Sequence, residues 1–211
     1  MRKFFEIGGL VAAAILIAFG VTAIVMGVNG RSTVQDSLKL EQIVGSPDMS
    51  PSAIAAEAKK AGLPASVDLP TVDVAGKPID TGDRARAFAS YMRIHTLEAT
   101  GGVPYAQMPR FATADGKGTN DATKALQANG RPVDNAARNI WVTETALTTA
   151  LNTSYMAEQL ALFGIVVGVA LLLAGIGFGI LAIGGALRNP DSVLSSVTHK
   201  TGASAKAVPS V

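Results

Sequence analysis

His95 and Glu98 are the pair of residues best placed to do chemistry. Three residues apart on a helix, they share one face, and an imidazole beside a carboxylate is half of a metal site. The same face, Ala85, Phe88, Met92 and His95, has the spacing of a core stripe. A hydrogen-bonded core histidine is therefore the competing reading, and with no further ligand visible in sequence it is the one preferred. No metal and no cofactor are expected on that basis. Arg86 and Arg93, two turns apart, would suit either an anionic ligand or a solvated face, the latter preferred. The loop from Asp115 through Gly116, Lys117 and Gly118 to Asp121 has the composition of a phosphate or calcium loop. It lacks the P-loop spacing, and Lys117 takes what would be a calcium-ligand position, so it reads as a turn. Ser37, Ser90 and Ser154 have no histidine and carboxylate in catalytic relation to them. The absence of cysteine excludes disulfides, thiolate nucleophiles and Cys-ligated metals. No catalytic constellation is visible, and an enzyme is not expected.

A second pattern is physical rather than chemical. Gly164, Gly168, Gly175, Gly179 and Ala186 recur at intervals of four and seven within an apolar run. Small residues on one helical face let another backbone approach closely where lipid supplies no hydrophobic drive. The spacing leaves the partner open: the first apolar run, a second copy, or another membrane protein. Gly9 with Ala13 and Ala23 with Gly27 are weaker counterparts near the N-terminus.

The elements that must position these residues begin with two uncharged apolar runs, 7–28 and 160–187. Each exceeds the roughly 20 residues that cross a bilayer core, and Thr22 is their only hydroxyl. Neither holds an ionisable group of the kind that marks an ion or substrate pathway, which argues against a transporter or channel formed by this chain alone. The net charge of +2 comes from the flanks, Arg2, Lys3, Arg31, Arg188, Lys200 and Lys206, because the polar middle is close to neutral. No basic stripe interleaved with aromatics exists, so nucleic acid is not an expected partner. Counting Lys and Arg at the ends places both termini in the cytoplasm, and residues 31–158 outside. The first run is read as a retained anchor rather than a cleaved signal peptide, since it is longer than an ordinary signal core.

The divisions expected are a cytoplasmic N-terminus (1–6), a first span (7–28), an extracytoplasmic domain (29–159), a second span (160–187) and a cytoplasmic tail (188–211). That tail, rich in Ser, Thr, Ala and Lys, is expected to be disordered. The first span continues as a helix toward Gly45, and Ser50-Pro51 starts a short helix ending at Gly62. Proline-rich chain from Leu63 to Asp80 reads as extended, with a short β-hairpin about Ala75-Gly76-Lys77. A helix over 82–98 starts behind Asp80 or Thr81. Residues 102–133 read as irregular with a short helix at 121–128. One continuous helix from Asp134 to Leu187 then carries the chain back. The fold class expected is an all-α membrane protein: two transmembrane helices extended into a mainly helical extracytoplasmic domain with an irregular insertion.

Several short stretches resemble a group of uncharacterised actinobacterial two-span membrane proteins. They are Lys39-Leu40-Glu41, Val74 to Lys77, His95 to Gly102 with Tyr105-Ala106, and Ala146 to Leu151 before a Gly-rich span. Members of that group are often labelled aromatic ring-opening dioxygenases. The label implies non-haem iron held by two histidines and a carboxylate, whereas this chain has only His95 and His199, which the expected topology puts on opposite sides of the membrane. The function expected first is an accessory or assembly subunit of a larger membrane complex, a respiratory one among the options. It would work through helix packing and an outer docking domain. The alternative is an extracytoplasmic ligand-binding or sensor protein, and a dioxygenase stands third.

Overall fold

The computed structural model describes residues 2–184, with side-chain surroundings from Glu6 onward. Ala186, the basic flank from Arg188, His199 and the tail expected to be disordered lie outside the described residues. Within them the fold is mainly helical: α1 (Arg2–Leu40), α2 (Pro51–Lys60), α3 (Gly82–Ala99), a 3-10 turn (Tyr105–Gln107), strands β1 (Gln127–Ala128) and β2 (Arg131–Pro132), and α4 (Ala136–Ile183). Two of the helices, α1 and α4, are long and apolar enough to cross a membrane. The chain divides into two compact units, one of residues up to Val28 with those from Leu162, the other Asn29–Ala161.

In the first unit the two apolar runs form a helical pair joined by small residues. A Cβ on Gly168 would lie 2.8 Å from the Gly20 carbonyl oxygen and 2.9 Å from the Ile24 nitrogen. One on Gly20 would meet the Leu172 nitrogen at 2.7 Å, and one on Gly175 the Ile17 nitrogen at 2.9 Å. Backbones touch here, and no side chain fits between them. The buried positions fall into heptads on both helices, Ala13, Gly20 and Gly27 on α1 and Gly168, Gly175 and Ala182 on α4. Gly164 and Gly179 flank this seam, near Ala23 and Ala13. Outward positions such as Phe19, Met26, Phe163 and Leu173 are large, apolar and exposed.

The second unit builds its core where α2 and α3 pack together with α1 and α4 residues, around Ile54, Ile79, Tyr91, Ile94, Leu97 and Trp141. Ser50 accepts from the Ala53 amide to start α2, and Thr81 accepts from the Arg84 amide to start α3. Positive φ at Gly62, Gly101 and Gly102 closes both helices. The Tyr91 hydroxyl donates to the Val72 carbonyl, and the Trp141 ring nitrogen to that of Val103, each at 3.0 Å. These two bonds moor the irregular segments.

Glu158, with a side chain only 8% exposed, joins three helices of this unit. It accepts from Arg31 Nε and from Gln35 Nε2, both at 2.8 Å on α1, and from the Gly82 amide at the start of α3. A carboxylate at a helix N-terminus also meets its positive end favourably. Gly82 is required at this approach: a Cβ there would lie 2.9 Å from Tyr155 Cα and 2.8 Å from Glu158 Oε2. Gly82→Ala is expected to destabilise this unit by roughly 1–3 kcal/mol, read as a lower midpoint in chemical unfolding.

Two local expectations are corrected. The stretch around Ala75-Gly76-Lys77 makes no hairpin of its own; Ala75 and Pro78 bridge to Gly45 and Val44 of the chain leaving α1. Residues 121–128 form turns and β1 rather than a helix. Asn129 and Gly130 both have positive φ, the turn that pairs β1 with β2. The Asn-Gly pair was the sequence signal for it.

Candidate metal centre

His95 does not stand alone in the fold. The turn that follows α1 brings Asp48 to it, and α2 brings Glu57. Ser46 and Met49 close that turn through a backbone bond, and the Ser46 hydroxyl donates to Asp48 Oδ1, which aims the carboxylate. Burial of Ile54 and Ala58 on α2 with Ile94 and Leu97 on α3 fixes the helix pair. Glu57 lies beside Ala58 and His95 beside Ile94, so the same packing that buries the apolar side chains sets the polar ones face to face.

His95 Nε2 lies 3.4 Å from Asp48 Oδ2 and 3.7 Å from Glu57 Oε2. One donor atom from each of the three residues falls within 4.8 Å of the others. The imidazole nitrogen is shielded from solvent and has no hydrogen-bond partner. An unsatisfied buried nitrogen costs free energy unless something completes it. Glu98, one turn beyond His95, joins the group through a hydrogen bond with Glu57. That bond holds the Glu57 carboxyl up at about 7, helped by partial burial and by the charges of Glu98 and Asp48. Asp48 is held below its usual range by the Ser46 hydroxyl, against partial burial, with His95 contributing. One imidazole and two carboxylates converge on a single place, with Asp48 about half exposed at its edge.

Of the residues singled out from sequence, His95 belongs to this cluster and Glu98 neighbours it through Glu57, whereas Asp48 and Glu57 carry no local signal in the sequence. Their distance in sequence hides them: 38 residues separate Glu57 from His95, and only the α2–α3 packing joins them. Arg86 and Arg93 are not brought together. The Arg86 guanidinium stacks on Tyr155 and that of Arg93 on Trp141, at 4.7 Å and 5.3 Å from the ring centres. Those rings are about 21 Å apart along α4 at 1.5 Å per residue. Arg86 instead edges a cavity of about 510 Å³ with Asp83, Ser90, Tyr155 and the 69–72 segment. The iron centre that the dioxygenase label implies needs two imidazoles and one carboxylate; the described cluster has one imidazole and does not fit it.

No family model matches the chain, and no curated protein or solved structure matches it.

The cluster makes a testable statement about stability. A carboxyl whose folded value is raised from 4.5 to about 7 binds its proton more tightly in the folded than in the unfolded state. Its cost to folding therefore appears as pH rises above 4.5 and is complete above about 7. Without added cations, Glu57→Gln is expected to be more stable than the native chain at pH 8. The gain should be on the order of 1 kcal/mol after allowance for solvent screening, vanishing at pH 4. Urea unfolding at the two pH values reads the difference.

Proposed function

We propose that this chain is a membrane-anchored, extracytoplasmic ligand-binding protein whose ligand is a cation held between Asp48, Glu57 and His95. The observation that carries this reading is the convergence of two carboxylate oxygens on a shielded imidazole nitrogen that has no hydrogen-bond partner. Anchoring draws on the two long helices, in which only 17% of the most apolar window is buried. So much exposed apolar surface is stable in lipid and costly in water. The orientation rests on the basic residues Arg2, Lys3 and Arg188 at the ends of the chain.

An accessory or assembly subunit packing through its glycine face has less support. Gly168 and Gly175 lie against Gly20 and Ile17 of the same chain, so those two positions favour packing within the chain over a partner.

Thermal unfolding of the full chain in detergent, followed through Trp141, tests the cation site. A divalent ion at 100 times its Kd is expected to add about 2.7 kcal/mol, a rise of several degrees in Tm. The double variant Asp48→Asn/Glu57→Gln should show none. No shift with any of calcium, magnesium, manganese or zinc would contradict the reading. Orientation is checked separately, since the chain has no cysteine of its own. Ala122→Cys should react with an impermeant maleimide on intact cells, and reaction only after lysis would reverse the topology.

A further inference from the structure

We infer that the cation taken by Asp48, Glu57 and His95 is a divalent first-row transition ion of the zinc(II) type, not calcium or magnesium. This rests on the cation-binding reading above. The discriminating atom is His95 Nε2. Calcium takes six to eight oxygens and magnesium an octahedron of oxygens with several waters, and neither gains from an imidazole. Zinc, iron, nickel and copper bind imidazole well, and zinc also accepts carboxylate oxygens in a four-coordinate shell.

The distances fit that shell. Zinc–ligand bonds of about 2.0–2.1 Å in a tetrahedron set donor atoms roughly 3.3 Å apart. His95 Nε2 stands 3.4 Å and 3.7 Å from its two carboxylate oxygens, so small side-chain movements bring the three onto one ion. The nitrogen is buried and has no hydrogen-bond partner, so binding an ion there breaks no existing hydrogen bond. Ser46 keeps Asp48 oriented through its Oδ1, leaving Oδ2 toward the histidine. With three residues as ligands, a water closes the shell.

The test is titration calorimetry of the full chain in detergent with zinc, manganese, calcium and magnesium chlorides, beside the His95→Gln, Asp48→Asn and His199→Gln variants. The expected result is one zinc per chain, bound at least about 100-fold more tightly than calcium or magnesium. His95→Gln should weaken zinc at least tenfold, bringing it toward calcium, with His199→Gln unchanged. Far-UV circular dichroism and the unfolding midpoint show that each variant is folded. If His95→Gln does not fold, Asp48→Asn carries the same expectation of weakened zinc binding. Calcium or magnesium bound as tightly as zinc, with His95→Gln indifferent, would overturn this inference while the cation site itself stands. Zinc binding that survives His95→Gln and Asp48→Asn, or is lost in His199→Gln, would also overturn it. No binding of any of the four ions would overturn both this inference and the reading beneath it.

Discussion

Glu158→Ala is expected to cost the Asn29–Ala161 unit about 1–3 kcal/mol, the range for leaving hydrogen-bond partners unsatisfied, because Arg31 is half exposed and water can take up its charge. The carboxylate satisfies Arg31, Gln35 and the Gly82 amide together, and alanine leaves all three without it. Against a total stability of some 5–15 kcal/mol, that loss should leave a measurable unfolded fraction in mild denaturant. Trp141, the one tryptophan, is 3% exposed and reports it by a red-shifted emission. Glu158→Gln keeps an acceptor but no charge and should fall between the two. The carboxylate also sets an acid limit. Burial opposes its ionisation, yet Arg31, the Gly82 amide and Gln35 outweigh this and lower its folded value below 4.5. Its contribution is therefore present above pH 4.5 and lost as pH falls through the folded value. Glu158→Gln should flatten the acid side of the stability profile; an unchanged profile would show that Glu158 is not the group responsible.

The second large effect is expected at the glycine seam. Gly168→Ile or Gly20→Leu forces carbon into a backbone contact of under 3 Å. Single contacts between membrane helices are modest, on the order of 1–2 kcal/mol, but a wedge separates several at once. A built-in reporter exists: a Cβ on Gly179 would stand 3.8 Å from Ala13 Cβ, within the range that a disulfide spans. The pair Ala13→Cys/Gly179→Cys should crosslink within one chain under mild oxidation. Adding Gly168→Ile should abolish that crosslink, whereas Val166→Leu on an exposed position should leave it intact. Crosslinked dimers in place of the intrachain product would mean that the glycine face joins two copies.

What the sequence made legible follows from how local each signal is. Ser50-Pro51, Thr81 and Gly62 announce α2 and α3 because caps and left-handed glycines act within one turn. The long helices show in runs of apolar residues without Pro or charge. The glycine spacing was legible on α4, but Gly20, its nearest partner, lies between the two small pairs recognised in the first run and completes the heptad with Ala13 and Gly27. Asn129-Gly130 is a turn signal that competes with the helical pattern at 121–128 and wins. The metal cluster was not readable. His95 and Glu98 share a helix and could be paired by spacing, whereas Asp48, on the turn after α1, and Glu57, on α2, reach His95 only through tertiary packing, which no local pattern encodes.

Native mass spectrometry of the full chain released from detergent, which counts bound ions directly, is the measurement closest to the central claim. After incubation with micromolar zinc and removal of the excess, the native chain should carry one divalent ion. The Asp48→Asn/Glu57→Gln variant, folded by its Trp141 emission, should carry none. A native chain that carries no ion, or a double variant that carries it equally, would contradict the assignment of Asp48, Glu57 and His95 as a cation-binding site.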